Sequence, residues 1–267
     1  MPARLLVPFG FEWIKRKVDA LVERRIGPPL LQPVYDWFKL WGNETLLPDG
    51  AGIFFRLAPW LLFLCSLVAV YVASIRPPWA LLELLALLST MTLLKMFLAR
   101  AVTSPFTIHG LGRLGSMKLA LDPAFPLAFL AAAFLWGFDM NWPLKAAILL
   151  PLAVATALAE LELPPFDLSH AKSELVAGWK TELSGRWLAL VTYAENARMV
   201  AVSLMLAALL GPTHLWLKAT LIFTLLSALS IALPRMHLAK AIRWLSFLNV
   251  LALAEVIACL SWASWLV

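Results

Sequence analysis

Cysteine is nearly missing from this 267-residue chain: the two copies, Cys65 and Cys259, each lie inside an apolar run. They form no C-x-x-C pair, so neither an iron–sulfur nor a zinc site is encoded, and both read as small apolar residues. Histidine is scarce as well; His109, His170, His214 and His237 are scattered without metal-ligand spacing. There is no G-x-x-x-x-G-K loop to cradle a phosphate and no G-x-S-x-G elbow to present a nucleophile. The N-terminus shows no cleavable signal peptide. The deepest shortage is charge. Only 14% of residues are charged, where a soluble domain carries about a quarter. A water-soluble fold of this composition would have too little polar surface to cover itself.

What is present is apolar. Hydrophobic residues make up 62% of the chain, mean hydropathy is +0.83, and thirteen Trp residues suit the membrane interface. The chain reads as an all-α integral membrane protein. A helical span needs about 20 mostly apolar residues, and this predicts about seven spans: roughly 57–75, 80–100, 120–138, 143–160, 187–210, 215–233 and 243–266. Residues 57–267 form the polytopic domain. Residues 1–56 are too charged to span and predict amphipathic surface helices, one over Glu12–Arg25 with Trp13, Ile14, Val18, Leu21 and Val22 apolar, and one over Pro33–Trp41. Gly27, Pro28 and Pro29 separate the two.

Lysine and arginine set the orientation. Residues 1–56 carry eight, and 100–118, 172–186 and 235–243 carry three each, whereas Arg76 alone lies between the first two spans. Lys145 and Lys218 near helix ends can snorkel. The positive-inside rule then puts the N-terminus and the three basic loops in the cytoplasm and Val267 outside. The net charge of +6 reflects this asymmetry, and no nucleic-acid partner is expected.

Ionisable residues at or within the membrane are the candidate chemistry, because charge there is costly. Glu160, Glu162, Asp167, Glu174 and Glu182 populate one cytoplasmic loop. Glu195 and Arg198 follow in the next span, three residues apart on one helix face, where they can pair. Asp122 stands at the entrance of the third span, Glu83 and Lys95 lie in the second, and Glu255 in the last. A carboxyl in low dielectric can exchange protons near neutrality, and several bridged by water make a proton wire. The residues alone leave other readings open: a static Glu195–Arg198 pair, a solvated loop, and a Lys95 that snorkels or pairs with another subunit.

Four motifs narrow the choice. Ala159-Glu160, Pro165-Phe166-Asp167-Leu168, Ser173-Glu174-Leu175-Val176-Ala177-Gly178 and then Glu182, Ser184 and Gly185 resemble the signature loop of NADH dehydrogenase subunit one, a membrane-subunit family of respiratory complex I. Arg24-Arg25-Ile26-Gly27-Pro28-Pro29-Leu30-Leu31-Gln32-Pro33, with Tyr35-Asp36 and Lys39-Leu40, resembles its N-terminal loop. The compact G-P-P-L-L-Q-P form is similar to that of membrane-bound, energy-converting nickel–iron hydrogenases and formate hydrogenlyases. Ser104-Pro105-Phe106, Gly110, Arg113 and Asp122-Pro123 make a third match, and Pro234-Arg235 a fourth. The chain departs from the family at Asp122, where Glu is usual; at Lys172, which replaces an acid; and at Leu161–Leu163. The family's span before the Arg16-Lys17 pair is expected to be almost wholly missing here, with either a neighbouring subunit filling its place or the start of this sequence being internal.

The resemblance implies a membrane subunit that anchors a soluble redox arm on the cytoplasmic side, made of an iron–sulfur small subunit and a large catalytic subunit. It also implies antiporter-like membrane partners and lipid contact in a prokaryotic cytoplasmic membrane. This chain would hold no cofactor; iron–sulfur clusters and a nickel–iron site belong to the partners. Asp122, Glu160, Glu174, Glu182 and Glu195 are the implied proton path. Arg24, Arg25, Gln32, Asp36, Lys39, Arg113 and Asp167 are the implied docking and structuring residues. The expected function is ion coupling, without catalysis of its own, in a complex of the hydrogenase or formate hydrogenlyase type. The alternatives are the quinone-site subunit of a complex I-like enzyme and an autonomous ion carrier.

Overall fold

The computed structural model describes residues 2–48, 52–75, 80–101, 104–136, 142–168, 180–211 and 213–265. Among them every regular element is an α-helix: α1 (Pro2–Val22), α2 (Gln32–Gly42), α3 (Ile53–Ile75), α4 (Ala80–Arg100), α5 (Pro105–Leu121), α6 (Ala124–Trp136), α7 (Trp142–Glu160), α8 (Gly185–Leu209), α9 (Leu215–Ala232) and α10 (Leu238–Trp265). Apolar residues spread around every face of α3, α4, α9 and α10, as expected where lipid rather than water meets the outward side. Five stretches are long and apolar enough to cross a membrane: Ile53–Ile75, Ala80–Arg100, Pro105–Ala131, Leu215–Ala232 and Leu238–Ser261. The chain is a multi-pass membrane protein.

The other two expected spans correspond to α7 and α8. In α7 the described apolar stretch is the shorter Leu150–Glu160. The 25-residue α8 has length enough, but Glu195, Asn196 and Arg198 interrupt its apolar sequence. It is the centre of the bundle. Seventeen of its 25 residues are buried, against α1, α2, α3 and α9 with lesser contacts to α4 and α7. Ala189, Ala194, Ala197, Ala201 and Ala207 are all buried and let neighbouring backbones approach closely, the usual device of packed membrane helices. A second group, α5, α6 and α7, gathers along α10.

Two local results differ from the sequence expectation. The stretch 100–118, expected as a loop, contains α5. Its Thr107, Gly110, Leu114, Met117, Lys118 and Leu121 are buried at helical spacing, so packing sustains a helix whose His109, Arg113 and Lys118 lower its hydropathy. The helix breaks at Asp122-Pro123, because a proline has no N–H to continue the ladder; the Leu127 N–H reaches the Pro123 carbonyl at 3.3 Å and α6 begins. The expected span 120–138 is therefore the second half of a longer, broken crossing.

The second difference is α1. It starts ten residues before the expected surface helix, and Phe9 and Phe11 join the main core. Phe9 meets Tyr193 edge-on at 5.5 Å and Phe11 meets Phe223 at 4.9 Å, while the Tyr193 hydroxyl donates to the Leu5 carbonyl at 3.0 Å. The helix ends in a Schellman turn, with the Arg25 N–H on the Ala20 carbonyl at 2.7 Å and the Arg24 N–H on the Leu21 carbonyl at 3.2 Å. Arg24 takes the left-handed position, φ 55°. The Trp13 indole then donates to the Pro28 carbonyl at 3.1 Å and closes the Gly-Pro-Pro turn against α1.

The Ser184-Gly185 pair ties the start of α8 to the segment after α2. The Ser184 hydroxyl accepts from the Leu46 N–H at 2.8 Å and donates to the Leu46 carbonyl at 3.2 Å. Gly185 has φ 51°, and an added Cβ would lie 2.6 Å from the Glu44 carbonyl oxygen and 2.8 Å from that of Asn43. Gly185→Ala should therefore destabilise the protein by about 1–3 kcal/mol, measured as a lower midpoint in detergent thermal unfolding. Gly112→Ala, where a Cβ meets nothing within 4 Å, should be neutral or slightly stabilising.

Candidate functional site

Where α4, α5, α7 and α8 meet, the bundle holds charge instead of hydrocarbon. Glu160, the last residue of α7, is 4% exposed. It accepts from the Lys118 ammonium of α5 and from Arg198 Nη2 of α8. Arg198, 2% exposed, also donates to the Thr92 hydroxyl of α4 at 3.0 Å and places Nη1 3.7 Å from Glu162 Oε1. Lys95 of α4 donates to the same Glu162 oxygen at 3.2 Å and lies 3.5 Å from Glu195 Oε1. Lys180, in the turn before α8, bonds the other Glu195 oxygen. The result is one unbroken line of alternating sign: Lys118, Glu160, Arg198, Glu162, Lys95, Glu195, Lys180.

Backbone geometry brings the two carboxylates at the end of α7 to one cation set. After α7 the Leu163 N–H bonds the Leu158 carbonyl at 3.1 Å and the Glu162 N–H bonds the Ala159 carbonyl at 3.2 Å, a Schellman turn. Glu162 holds its left-handed position, φ 52°. Glycine is the usual residue there; a side chain costs on the order of 1–2 kcal/mol. Here that cost is offset by the ion pairs the Glu162 carboxylate makes.

The line borders a cavity of about 250 Å³ lined by Lys95, Glu162, Glu195 and Arg198 on one side and by Lys15, Asp167 and Arg235 on another. Several waters fit at about 30 Å³ each. Arg198 has two buried donors, Nε and Nη1, without a hydrogen-bond acceptor, a demand that water in such a cavity meets. Arg235 donates to Asp167 Oδ2 at 3.1 Å across the rim. Burial pushes the Lys15 ammonium below its ordinary value, against the pull of Asp19, Asp167 and Glu195.

A second network joins the N-terminal helices to α8. Arg16 bonds both Glu12 and Asp36, Gln32 Nε2 donates to Asp36 Oδ1 at 2.9 Å, and Asn196 Nδ2 donates to Glu12 Oε2 at 2.5 Å. Burial alone would raise the Asp36 carboxyl, but the hydrogen bonds from Arg16 and Gln32 and the nearby cations win and hold it below its usual value.

Of the expected path residues, Glu160 and Glu195 lie in the line. Glu182 is half-buried and joins no ion pair among the described residues, Asp122 is exposed at the α5–α6 break, and Glu174 lies outside the described residues. Glu195 and Arg198 do not pair with each other. Such charges need more than one partner, and α4, the end of α7 and the turn before α8 supply them. Lys95 neither snorkels nor waits for another subunit; it is 2% exposed and paired within the chain. Of the expected docking residues, Gln32 and Asp36 share the Arg16 network, Asp167 meets Arg235, Arg24 terminates α1, Arg25 pairs with Glu23, Lys39 is exposed and Arg113 is half-buried on α5. Sequence reasoning missed the central part of Glu162 and the cations Lys118 and Lys180. Their one legible signal was lysine next to apolar helices.

A family model described as NADH dehydrogenase matches residues 2–260. Hydrogenase-4 component C of Escherichia coli (strain K12) is 28% identical over 98% of this chain and 92% of its own length. Formate hydrogenlyase subunit 4 of the same organism is 30% identical over 71% of this chain and 68% of its own. A subunit of the NADH-quinone oxidoreductase of Dehalococcoides mccartyi (strain CBDB1) is 29% identical over 95% and 84%. In fold, the chain resembles one in the structure of the membrane-bound sulfane sulfur reductase, an archaeal respiratory membrane complex, with a TM-score of 0.83, 22% identity and 96% coverage of both chains.

The geometry of the line makes a prediction about stability. Arg198→Leu leaves Glu160 and Glu162 short of a cation and should cost about 3–5 kcal/mol, read as early loss of the folded peak on size-exclusion chromatography after heating. Adding Glu160→Gln should recover part of that loss, a coupling of about 0.5–3 kcal/mol; strictly additive losses would mean that the two side chains do not interact.

Proposed function

The chain belongs to the NADH dehydrogenase family, and we propose that it is the membrane-anchor and ion-coupling subunit of a redox-driven proton- or sodium-translocating complex of the membrane-bound hydrogenase or formate hydrogenlyase type. The observation that carries the reading is the alternating line of buried charge. A structural ion pair needs two groups; this line has seven, set beside a polar cavity.

Such a line can carry a signal as well as a proton. Glu195 lies between Lys95 and Lys180, Glu162 between Lys95 and Arg198, and Glu160 between Lys118 and Arg198. Each carboxylate therefore has two competing cations. At an effective dielectric near 20 a unit pair about 4 Å apart is worth on the order of 4 kcal/mol. Protonating the carboxylate at one end frees its cation to draw on the next carboxylate, and the exchange passes along the line. Redox chemistry at the cavity side would then be felt near Lys118 and the Asp122 break. In this reading Asp122, Glu160, Glu162, Glu174, Glu182 and Glu195 belong to the path.

The N-terminal side supports a docking role. Ile26, Leu30, Leu31, Tyr35 and Phe38 are exposed apolar residues interspersed with Arg24, Arg25 and Lys39, the mix expected of a protein interface. With Gln32, Asp36, Arg113 and Asp167 they would seat a cytoplasmic redox arm whose small and large subunits hold the iron–sulfur clusters and the nickel–iron site. Antiporter-like subunits and lipid would cover the apolar sides, with the N-terminus in the cytoplasm. The compact Gly27-Pro28-Pro29 turn favours the hydrogenase type over a quinone-reducing one.

Purification in gentle detergent tests the subunit role: the chain should elute with soluble redox subunits, and a lone ion-transporting protein of 29.6 kDa would overturn it. Glu182→Gln tests coupling. Because Glu182 joins no ion pair among the described residues, the complex should assemble, yet ions moved per electron in inverted membrane vesicles should fall several-fold. A wild-type ratio would count against the path. Arg24→Ala should lower the amount of redox arm retained on membranes, and Arg24→Gly, which suits the left-handed backbone, separates the lost side chain from a frayed α1.

A further inference from the structure

The last helix carries a carboxylate that the charged line does not use. Along α10, Ala241, Leu245, Leu248, Ala252 and Cys259 are buried and recur at alternating spacings of four and three. The pattern calls for one more apolar residue between Ala252 and Cys259, and Glu255 occupies that position. The seam faces α6 and α5; near its end the Cys259 thiol lies 4.0 Å from the Ala131 carbonyl. The α6 sequence, AFPLAFLAAAFLW, offers no polar side chain before Trp136. Glu255 is half-buried, and its Oε2 is buried with no hydrogen-bond partner among the described residues. A lone carboxylate so placed is strongly disfavoured, whereas a neutral carboxyl is far better tolerated.

A second orphan lies on the same helix. Asn249 Nδ2 donates to the Ala120 carbonyl at 2.7 Å, in the last turn of α5, while its Oδ1 is buried without a partner. Ala120 is two residues from Lys118, the end of the charged line, and two from Asp122 at the helix break. Glu255 is six residues beyond Asn249, about 9 Å along the helix at roughly 1.5 Å per residue and about a third of a turn around it, so a proton passing between them would need two or three waters. The charged and titratable residues of the facing elements are His109, Arg113 and Lys118 of α5 with Asp122 at its break, and Lys145 and Glu160 of α7; α6 has none, and Lys240 and Arg243 occupy the opposite end of α10. A hard metal cation would need several oxygen ligands, which the described residues of this seam do not supply.

We propose that Glu255 is a proton-exchanging carboxyl in the half of the membrane beyond the charged line. It takes a proton through water from the Asp122–Lys118 end, guided by Asn249, and releases it toward the side where α10 ends. A water O–H breaks as the Glu255 O–H forms, and that water is reprotonated from the Asp122 carboxyl or the Lys118 ammonium behind it. On release the Glu255 O–H breaks and a water on the far side takes the proton; no electron moves. The proposal rests on the ion-coupling reading above and makes the carried ion a proton.

The assembled complex in inverted membrane vesicles tests it. N,N′-dicyclohexylcarbodiimide attacks protonated carboxyls in apolar surroundings, so peptide mass spectrometry should find Glu255 labelled, less so as pH rises. Glu255→Gln should lower protons moved per electron at least about five-fold, and Glu255→Asp should restore most of the loss. No label on Glu255 at any pH, or a wild-type ratio in Glu255→Gln, overturns the proposal. Glu182→Gln run in parallel separates the two ideas. If it is uncoupled while Glu255→Gln is not, only the role of Glu255 falls; if both translocate normally, the ion-coupling reading falls as well.

Discussion

The structure depends on one constraint: a charge taken out of water must find its compensation inside the bundle. Removing one partner from a buried pair costs about 3–5 kcal/mol, so the four cations and three carboxylates at the centre fix the helices that bear them. Lys95 holds α4 to the end of α7 and to α8, Lys118 holds α5 to α7, and Arg198 joins all of these to Thr92. In hydrocarbon, apolar helices have little preference for one neighbour over another. The polar line supplies register that apolar packing lacks where α4, α5 and α7 meet α8, while α8 is central through its packing on α1, α2, α3 and α9.

The same constraint explains one unusual backbone position, Glu162; Arg24, which is exposed, holds another by ending α1. Arg24 and Glu162 both stand in left-handed positions that end helices, where glycine is the residue of least cost. Each carries a charge. At Glu162 the turn directs a second carboxylate to the cations that Glu160 already binds. At Arg24 it ends α1 where the chain must reverse into the Gly-Pro-Pro turn and place α2 beside the Arg16–Asp36 network. Gly185 is the complementary case, a left-handed glycine pressed against the Asn43 and Glu44 carbonyls. The cavity, the docking side and the central helix are thus joined by short, conformationally demanding turns.

Such a site suits a coupling element. Each carboxylate in the line is shared by two cations, so neutralising one redistributes the rest with no helix having to unfold. In the proposed reading the cavity beside Arg198, Glu162, Lys95, Glu195 and Lys180 would feed the line, whose Lys118 end lies near the α5–α6 break. Glu255 and Asn249 extend polar atoms into a seam that is otherwise apolar, which is the reason to look there for the remainder of the route.

Much of this was legible in the residues. Shortage of charge demanded a membrane, apolar runs marked α3, α4, α9 and α10, and the island from Ala159 to Arg198 drew attention to Glu160 and Glu195. Helical spacing, however, put Glu195 beside Arg198 on one face and could not show that each takes its partners from elsewhere in the fold. Hydropathy hid α5, whose lysine and arginine lower the average while packing buries its inward face, and it read α1 as a surface helix because Phe9 and Phe11 are too few to suggest a core. Local sequence determined class, helices and turns, since those follow from solvent transfer and backbone preference over a few residues. Tertiary structure alone decided which charges meet, because Lys95 and Glu162 are 67 residues apart, Lys118 and Glu160 are 42, and only packing in a medium without water makes their pairing obligatory.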